Sequence, residues 1–135
     1  MTARYTLADA NRLLPLLRSI AAEIEERRAE RRRLTRLREE LESAPTPEGV
    51  THALTELDAL LFENRTATDS SLKEFEELGL SILRTHPLTV HIPGRTRRGP
   101  IVFCWQIGEN RIGHGHMVGE EEDPRRPLKV RVASS

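Results

Sequence analysis

Lysine is nearly missing from this 135-residue chain: it stands only at Lys73 and Lys129, and arginine supplies the remaining cations. Lysine and arginine together number 21 and are matched by 21 acidic residues, so the formal net charge is zero. That balance removes the basic excess with which nucleic-acid proteins neutralise phosphates, and no nucleic-acid partner is expected. Aromatic residues are also few, at three Phe, one Tyr and one Trp. Stacking platforms for bases are scarce, and the core has to come mainly from Leu, Ala, Ile and Val. A single cysteine, Cys104, excludes an intrachain disulfide framework. No apolar run reaches the roughly 20 residues of a membrane span, and no charged, apolar, then small-residue leader opens the sequence, so the expectation is a cytoplasmic protein with no membrane partner. A serine or cysteine nucleophile constellation and a glycine-rich phosphate loop are missing too, and the reading leans away from an enzyme. At this length the chain is one domain's worth, residues 1–135.

What the sequence has is charged helix with aliphatic stripes. Thr6-Leu7-Ala8-Asp9 has the form of a helix start, with Thr6 as N-cap and Asp9 placed to reach back to the cap amide. Apolar residues follow at Leu7, Ala10, Leu13, Leu14, Leu17, Ile20, Ala21 and Ile24, thin out at Arg27, Arg28 and Arg31, and resume at Leu34, Leu37 and Leu41. This three-four spacing predicts one buried helix face. Pro15 interrupts it, because proline lacks the amide that would bond the Asn11 carbonyl. Either a kink or short first helix falls near Asn11 to Leu14, or the long helix begins at Pro15, a favourable first-turn residue. Ser43-Ala44-Pro45-Thr46-Pro47-Glu48-Gly49 breaks the helix and predicts a bend at 43–49. A second stripe begins at Val50, Ala53, Leu54, Leu57, Leu60 and Leu61, turns polar between Asn64 and Ser71, and continues through Leu72, Phe75 and Leu78 to Gly79, a left-handed cap.

Residues 5–79 therefore read as a long antiparallel helical hairpin. If the numbers of facing residues total about 92, Arg28 lies near Asn64 and Ile24 near Thr68, which sets the two polar stretches face to face. They form either a wet, loosely packed middle or a buried network that fixes the register. Arms of about 30 residues at about 1.5 Å rise each are too extended to bury both stripes in one two-helix contact. A homodimer forming a four-helix bundle is the expected assembly, with cover from the C-terminal segment as the alternative.

Residues 80–135 read as β-rich, a small antiparallel sheet of about three strands, so the fold class is α+β, mainly α. Leu88-Thr89-Val90-His91-Ile92 alternates as a strand, and Ile101 to Ile107 is the strongest strand in the chain. With Gly94 to Gly99 as the connecting loop, Leu88, Val90 and Ile92 face Trp105, Phe103 and Ile101, and His91 faces Val102. Arg95, Arg97 and Arg98 fall in that loop, where they either grip phosphate or form a solvated turn. A turn centred on Gly108-Glu109-Asn110 follows, and its length decides where the histidines point. Two residues would set His114 against Trp105. Three set His114 opposite Cys104 and His116 opposite Val102, with Gly113 and Gly115 beneath the Trp105 and Phe103 rings, and this coherent alternation is preferred. Gly119 to Asp123 is acidic and reads as solvated. Leu128 to Val132 alternates as a final edge strand.

In the three-residue register one sheet face collects His91, Cys104, His114 and His116. Imidazoles so clustered suit zinc or another divalent metal of the first transition row, such as manganese or iron. Glu109 would add a carboxylate only if its loop curled back, because a simple hairpin leaves it about 23 Å along the strand from His116. Cys104 lies mid-strand and is read as packed rather than reactive.

Tyr5-Thr6-Leu7-Ala8-Asp9-Ala10-Asn11, Leu13-Leu14-Pro15-Leu16-Leu17, Glu77-Leu78-Gly79, then Cys104-Trp105, Gly108-Glu109 and His116 together resemble the bacterial "domain of unknown function 2203" family of small uncharacterised proteins. The likeness spans nearly the whole chain and implies no particular reaction. Family members carry an Asp-Phe-Pro motif where this chain has His91-Ile92-Pro93, and a Trp-His pair where it has Gly115-His116. The resemblance implies that His91, Glu109 and His116 act together. A metal ligand set of His91, Glu109, His114 and His116 in an accessory or regulatory protein is the expectation. The alternatives are a metal-dependent hydrolase, with water on an open coordination position, and a helical-hairpin interaction module in which the histidines serve only the fold.

Overall fold

A computed structural model describes residues 5–44, 49–119 and 125–128. The order is α1 (Leu7–Arg12), α2 (Leu14–Glu42), α3 (Val50–Glu77), β1 (Ser81–Thr85), β2 (Leu88–Thr96), β3 (Gly99–Gln106) and β4 (His114–Met117). The fold is α+β and mainly α, with a four-stranded antiparallel sheet in the order β1-β2-β3-β4. Two compact units divide it: Met1–Ala21 with Glu74–Ser135, and Ala22–Lys73.

In the sheet-bearing unit the start motif acts as a set of fasteners. Thr6 caps α1 by accepting from the Asp9 amide at 3.1 Å, while the Asp9 carboxylate turns to Arg12 at 2.9 Å. α1 ends at Arg12 and α2 begins at Leu14, so Pro15 lies in the first turn of the long helix, where its missing amide costs nothing. The Asn11 side chain accepts from the Ile112 amide at 2.9 Å. Tyr5 donates its amide to Pro93 O at 2.9 Å, accepts from the Arg95 amide at 3.0 Å, and donates its hydroxyl to Leu78 O at 2.6 Å. Beyond α3, Gly79 takes φ 82° and its amide bonds Glu76 O, while the Leu80 amide bonds Phe75 O; this closes a Schellman cap with Leu80 and Phe75 both buried.

The sheet departs from expectation in four places. β1 is an additional strand; its side chains are mostly exposed, so it carries no apolar alternation to reveal it. β2 and β3 pair two residues away from the expected register, with Val90 opposite Trp105, Ile92 opposite Phe103 and His91 opposite Cys104. A two-residue slip keeps each side chain on its face, so the hydrophobic pattern is blind to it. The turn selects the register: the Thr96 hydroxyl accepts from the Arg98 amide at 3.2 Å and donates to Gly99 O at 3.1 Å, leaving Arg97 and Arg98 at the tip. β3 and β4 pair as the three-residue turn required, Phe103 with Gly115, Cys104 with His114 and Val102 with His116, but the connection is the whole segment 107–113. Finally, the glycine beneath the Phe103 ring is Gly94, whose added Cβ would lie 2.3 Å from Phe103 Cε2. Gly113 has open space, and Gly115 is confined by Val102 O and Leu128.

Residues 125–128 return beside β4. Pro127 bridges His114 antiparallel, the Gly115 amide bonds Arg126 O at 3.0 Å and the Leu128 amide bonds Gly113 O at 2.8 Å. The acidic run at 120–123, residues 129–132 and most of the bend at 45–48 lie outside the described residues.

In the helical unit α2 and α3 run antiparallel near the expected stagger. The Asn64 side chain, 8 % exposed, donates to Arg27 O at 2.9 Å, and Arg38 meets Asp58 at 2.7 Å. Thr68 donates its hydroxyl to Asn64 O at 2.8 Å. The polar middle is thus hydrogen-bonded across the pair at Asn64, as the network alternative required.

Candidate functional site

One face of β2, β3 and β4 carries His91, Cys104, His114 and His116, because in each antiparallel pair directly opposed residues share a face. Cys104 sits at the centre, with His91 opposite on β2 and His114 opposite on β4. It is buried, as read from its place in the strand. The His91 and His116 rings meet edge to face with centroids 5.5 Å apart.

Glu109 reaches this region because its loop curls back. The Glu109 amide bonds Gln106 O at 3.1 Å, and its carboxylate Oε1 accepts from the Gln106 amide at 2.8 Å. The Trp105 indole N–H donates to Glu109 O at 3.1 Å, so the largest core side chain also fixes the loop. The carboxylate then receives a bidentate Arg125 guanidinium, 2.9 Å at each oxygen, and lies 3.3 Å from His114 Nδ1. That nitrogen is buried and close, but not aligned for a hydrogen bond. Burial pushes the Glu109 carboxyl up; Arg125, the Gln106 amide and His114 outweigh burial and hold it below the ordinary 4.5. Hydrogen bonds to Glu109 in turn raise the Arg125 value, against its burial. Arg125 also donates to Cys104 O at 3.1 Å and to Cys104 Sγ at 3.4 Å.

The four histidine and glutamate positions read from sequence therefore fall into two pairs, His91 with His116 and Glu109 with His114. Glu109 has both oxygens engaged by Arg125, so as a metal ligand it would have to release that cation. Among the described residues, no group of three or more His, Cys, Asp or Glu side chains stands close enough to hold a metal ion. His91 and His116 are the pair with two imidazoles in contact. Arg125 was not legible as a site residue. It lies in a stretch with the composition of a solvated tail, and its partners are 16 and 21 positions away.

No curated protein and no solved structure matches this chain. The model of a family described as "Uncharacterized conserved protein (DUF2203)" matches residues 4–128, a span that takes in the Tyr5 and Asn11 fasteners, the Gly79 cap, Glu109 and Arg125. With nearly the whole chain covered, from the start motif to the segment that returns beside β4, the protein belongs to this family.

Proposed function

We propose that this protein is a divalent-metal-binding accessory or regulatory protein, with His91 and His116 as the protein's ligands. The observation that carries the reading is the 5.5 Å separation of the two rings. Two imidazoles bound to one tetrahedral ion at about 2 Å have ring centres about 5 Å apart, so a small rotation of each ring makes them chelating. Their half-buried position on a hydrogen-bonded sheet limits the entropy lost on binding. Two ligands leave coordination positions for water or for a group from a partner, which suits an accessory role. Glu109 and Arg125 support this face by fixing the 107–113 loop beside His114, and the Glu109 carboxylate becomes a third ligand only by exchanging Arg125 for the metal.

The test is titration of the purified chain, stripped of metal, with zinc, manganese and iron(II) followed by calorimetry. One ion bound per chain is expected, with affinity falling at least about tenfold in His91→Ala and in His116→Ala. Binding that is absent in the wild type, or equal in all three proteins, would sink the reading.

A further inference from the structure

Within α2, the residues Leu17, Ala21 and Ile24 are spaced alternately four and three apart, and all are essentially buried. The same spacing continues to Arg28, Arg31 and Thr35, where the seam turns basic and Arg31 and Thr35 stand exposed. An open groove runs along this part of the helix past Arg31, Arg32 and Thr35. The helical unit pairs several of its arginines: Arg28 with Glu25, Arg33 with Glu30, and Arg38 with Glu42 and Asp58. Arg31, Arg32 and, on α3, Arg65 are exposed and make no ion pair or hydrogen bond among the described residues.

The Arg38–Asp58 pair marks one side of the α2–α3 contact. Arg31 stands seven residues before Arg38 and Arg65 seven after Asp58, two turns in each case, so both lie on that side. Leu54, Leu61 and Phe62 are four before, three after and four after Asp58, and adjoin it on the same side. Leu54 and Leu61 are half-buried there, while Phe62 is 69 % exposed, the most open large apolar side chain among the described residues. Between the tie of Arg27 to Asn64 and that of Arg38 to Asp58, Phe62 is level with Arg31. This side of the helical unit is a channel between two helices, with an apolar floor from α3 and unpaired guanidinium groups on both walls.

We infer that this channel seats an acidic amphipathic helix of another protein, its apolar seam on Leu54, Leu61 and Phe62 and its carboxylates on Arg31, Arg32 and Arg65. A third helix laid between two antiparallel ones docks in the helix-in-groove mode. Arg65 is level with Arg28, about one turn along the channel from Arg31, and carboxylates three or four residues apart on a helix are separated by the same turn. An exposed ring beside arginines has the composition of a binding hot spot, and the arginine stems add apolar methylenes next to it. A nucleic acid is the poorer occupant. Residues 22–73 carry 12 acidic against 9 basic residues, a field that repels a long polyanion, and one exposed ring offers a single stacking surface. A short acidic helix meets only the local cations, and the histidines take no part.

Titration of the full chain against a fluorescein-labelled helical peptide of about 20 residues tests it, the peptide carrying leucine at alternating three- and four-residue spacing with glutamate on each flank. Anisotropy at low salt should give a dissociation constant below about 100 µM, rising at least about tenfold in molar salt. Arg31→Glu with Arg65→Glu should weaken binding at least about tenfold, and Phe62→Ser at least about fivefold. Arg33→Glu with Arg97→Glu makes the same change in net charge away from the channel and should leave binding within about twofold. The peptide with lysine for every glutamate should not bind. Circular dichroism reports whether each variant keeps its helix; where a charge variant does not, the salt series and the two peptides on the wild type decide. No binding of the glutamate peptide overturns the inference. So does equal weakening by the control pair, indifference to Phe62→Ser, or tighter binding of a labelled oligothymidine than of the peptide. A wild-type dimer that Arg31→Glu with Arg65→Glu turns into monomer assigns the channel to a second copy, and overturns it as well.

Discussion

Between residues 74 and 119 the structure seals Trp105, Phe103 and Phe75 at 1 % exposure or less, with Leu88, Val90 and Ile92 around them. Between residues 22 and 73 it buries Ile24, Leu34 and Leu57, and it admits Asn64 and Ser71 to the same interior. The difference separates two ways of defining a structure. Rings and β-branched side chains on a sheet give stability through area removed from water, at about 25 cal/mol per Å². A buried amide bonded across two helices adds little net energy, yet it penalises any slide of one helix along the other, because a slide would leave the amide unpaired. The sheet-bearing unit is stable by burial; the helical unit is positioned by a polar contact and has apolar and charged seams to spare.

Cutting the sealed core should produce the largest effect. Trp105→Ala is expected to cost about 3–5 kcal/mol, since it removes the largest buried side chain and the indole bond that fixes Glu109. Urea denaturation followed by circular dichroism is the measurement, as the chain's own tryptophan is gone. Overfilling the same core comes next. Gly94→Ala places a methyl group 2.3 Å from one Phe103 ring carbon and 2.9 Å from Ile101 Cγ2, and should cost about 1–3 kcal/mol. If the ring is the obstacle, Phe103→Leu in the Gly94→Ala background should cost clearly less than Phe103→Leu alone.

The Glu109 clamp sets an intermediate scale. Glu109→Gln keeps the shape but loses the charge on Arg125, and should lower stability at neutral pH by about 1–2 kcal/mol, given that both partners are about a fifth exposed. The folded carboxyl titrates below its ordinary 4.5, so its contribution is fully present above that pH and is lost as pH falls through the folded value. The gap in denaturation midpoint between wild type and Glu109→Gln should therefore close on acidification; a gap that widens would contradict the clamp. The smallest effect belongs to the helical unit: Asn64→Ala removes one bond to Arg27 O and should cost about 1 kcal/mol. Were Asn64→Ala to cost as much as Trp105→Ala, the contrast between the two units would be wrong.

Much of this architecture is legible in the sequence wherever burial imposes a period. The helical stripes give α2 and α3 and their stagger, and the alternation on β3 and β4 gives the face shared by Cys104, His114 and His116. Where burial imposes nothing, the reading fails. Exposed β1 has no pattern to read, and the β2–β3 slip is decided by hydrogen bonds at Thr96 rather than by apolar positions. The candidate site is legible as a set of histidines on one face. It is not legible as two pairs, because the partition depends on Arg125, which meets Glu109 only once the segment 125–128 returns beside β4.

The bonds made by Tyr5 and by Arg126–Leu128 have a consequence for solubility. β1 pairs with β2 only as far as His91, so the amide of Arg95 and the carbonyl of Pro93 would face outward; Tyr5 occupies both. On the opposite side, Arg126 O takes the outward Gly115 amide of β4 and the Leu128 amide takes Gly113 O just before it. Unpaired strand margins are templates on which sheets from different molecules join and aggregate. Two short irregular segments thus cover the stretch of β2 beyond β1 and the start of β4 against intruding strands, so trimming either one would expose backbone groups on which another sheet can pair.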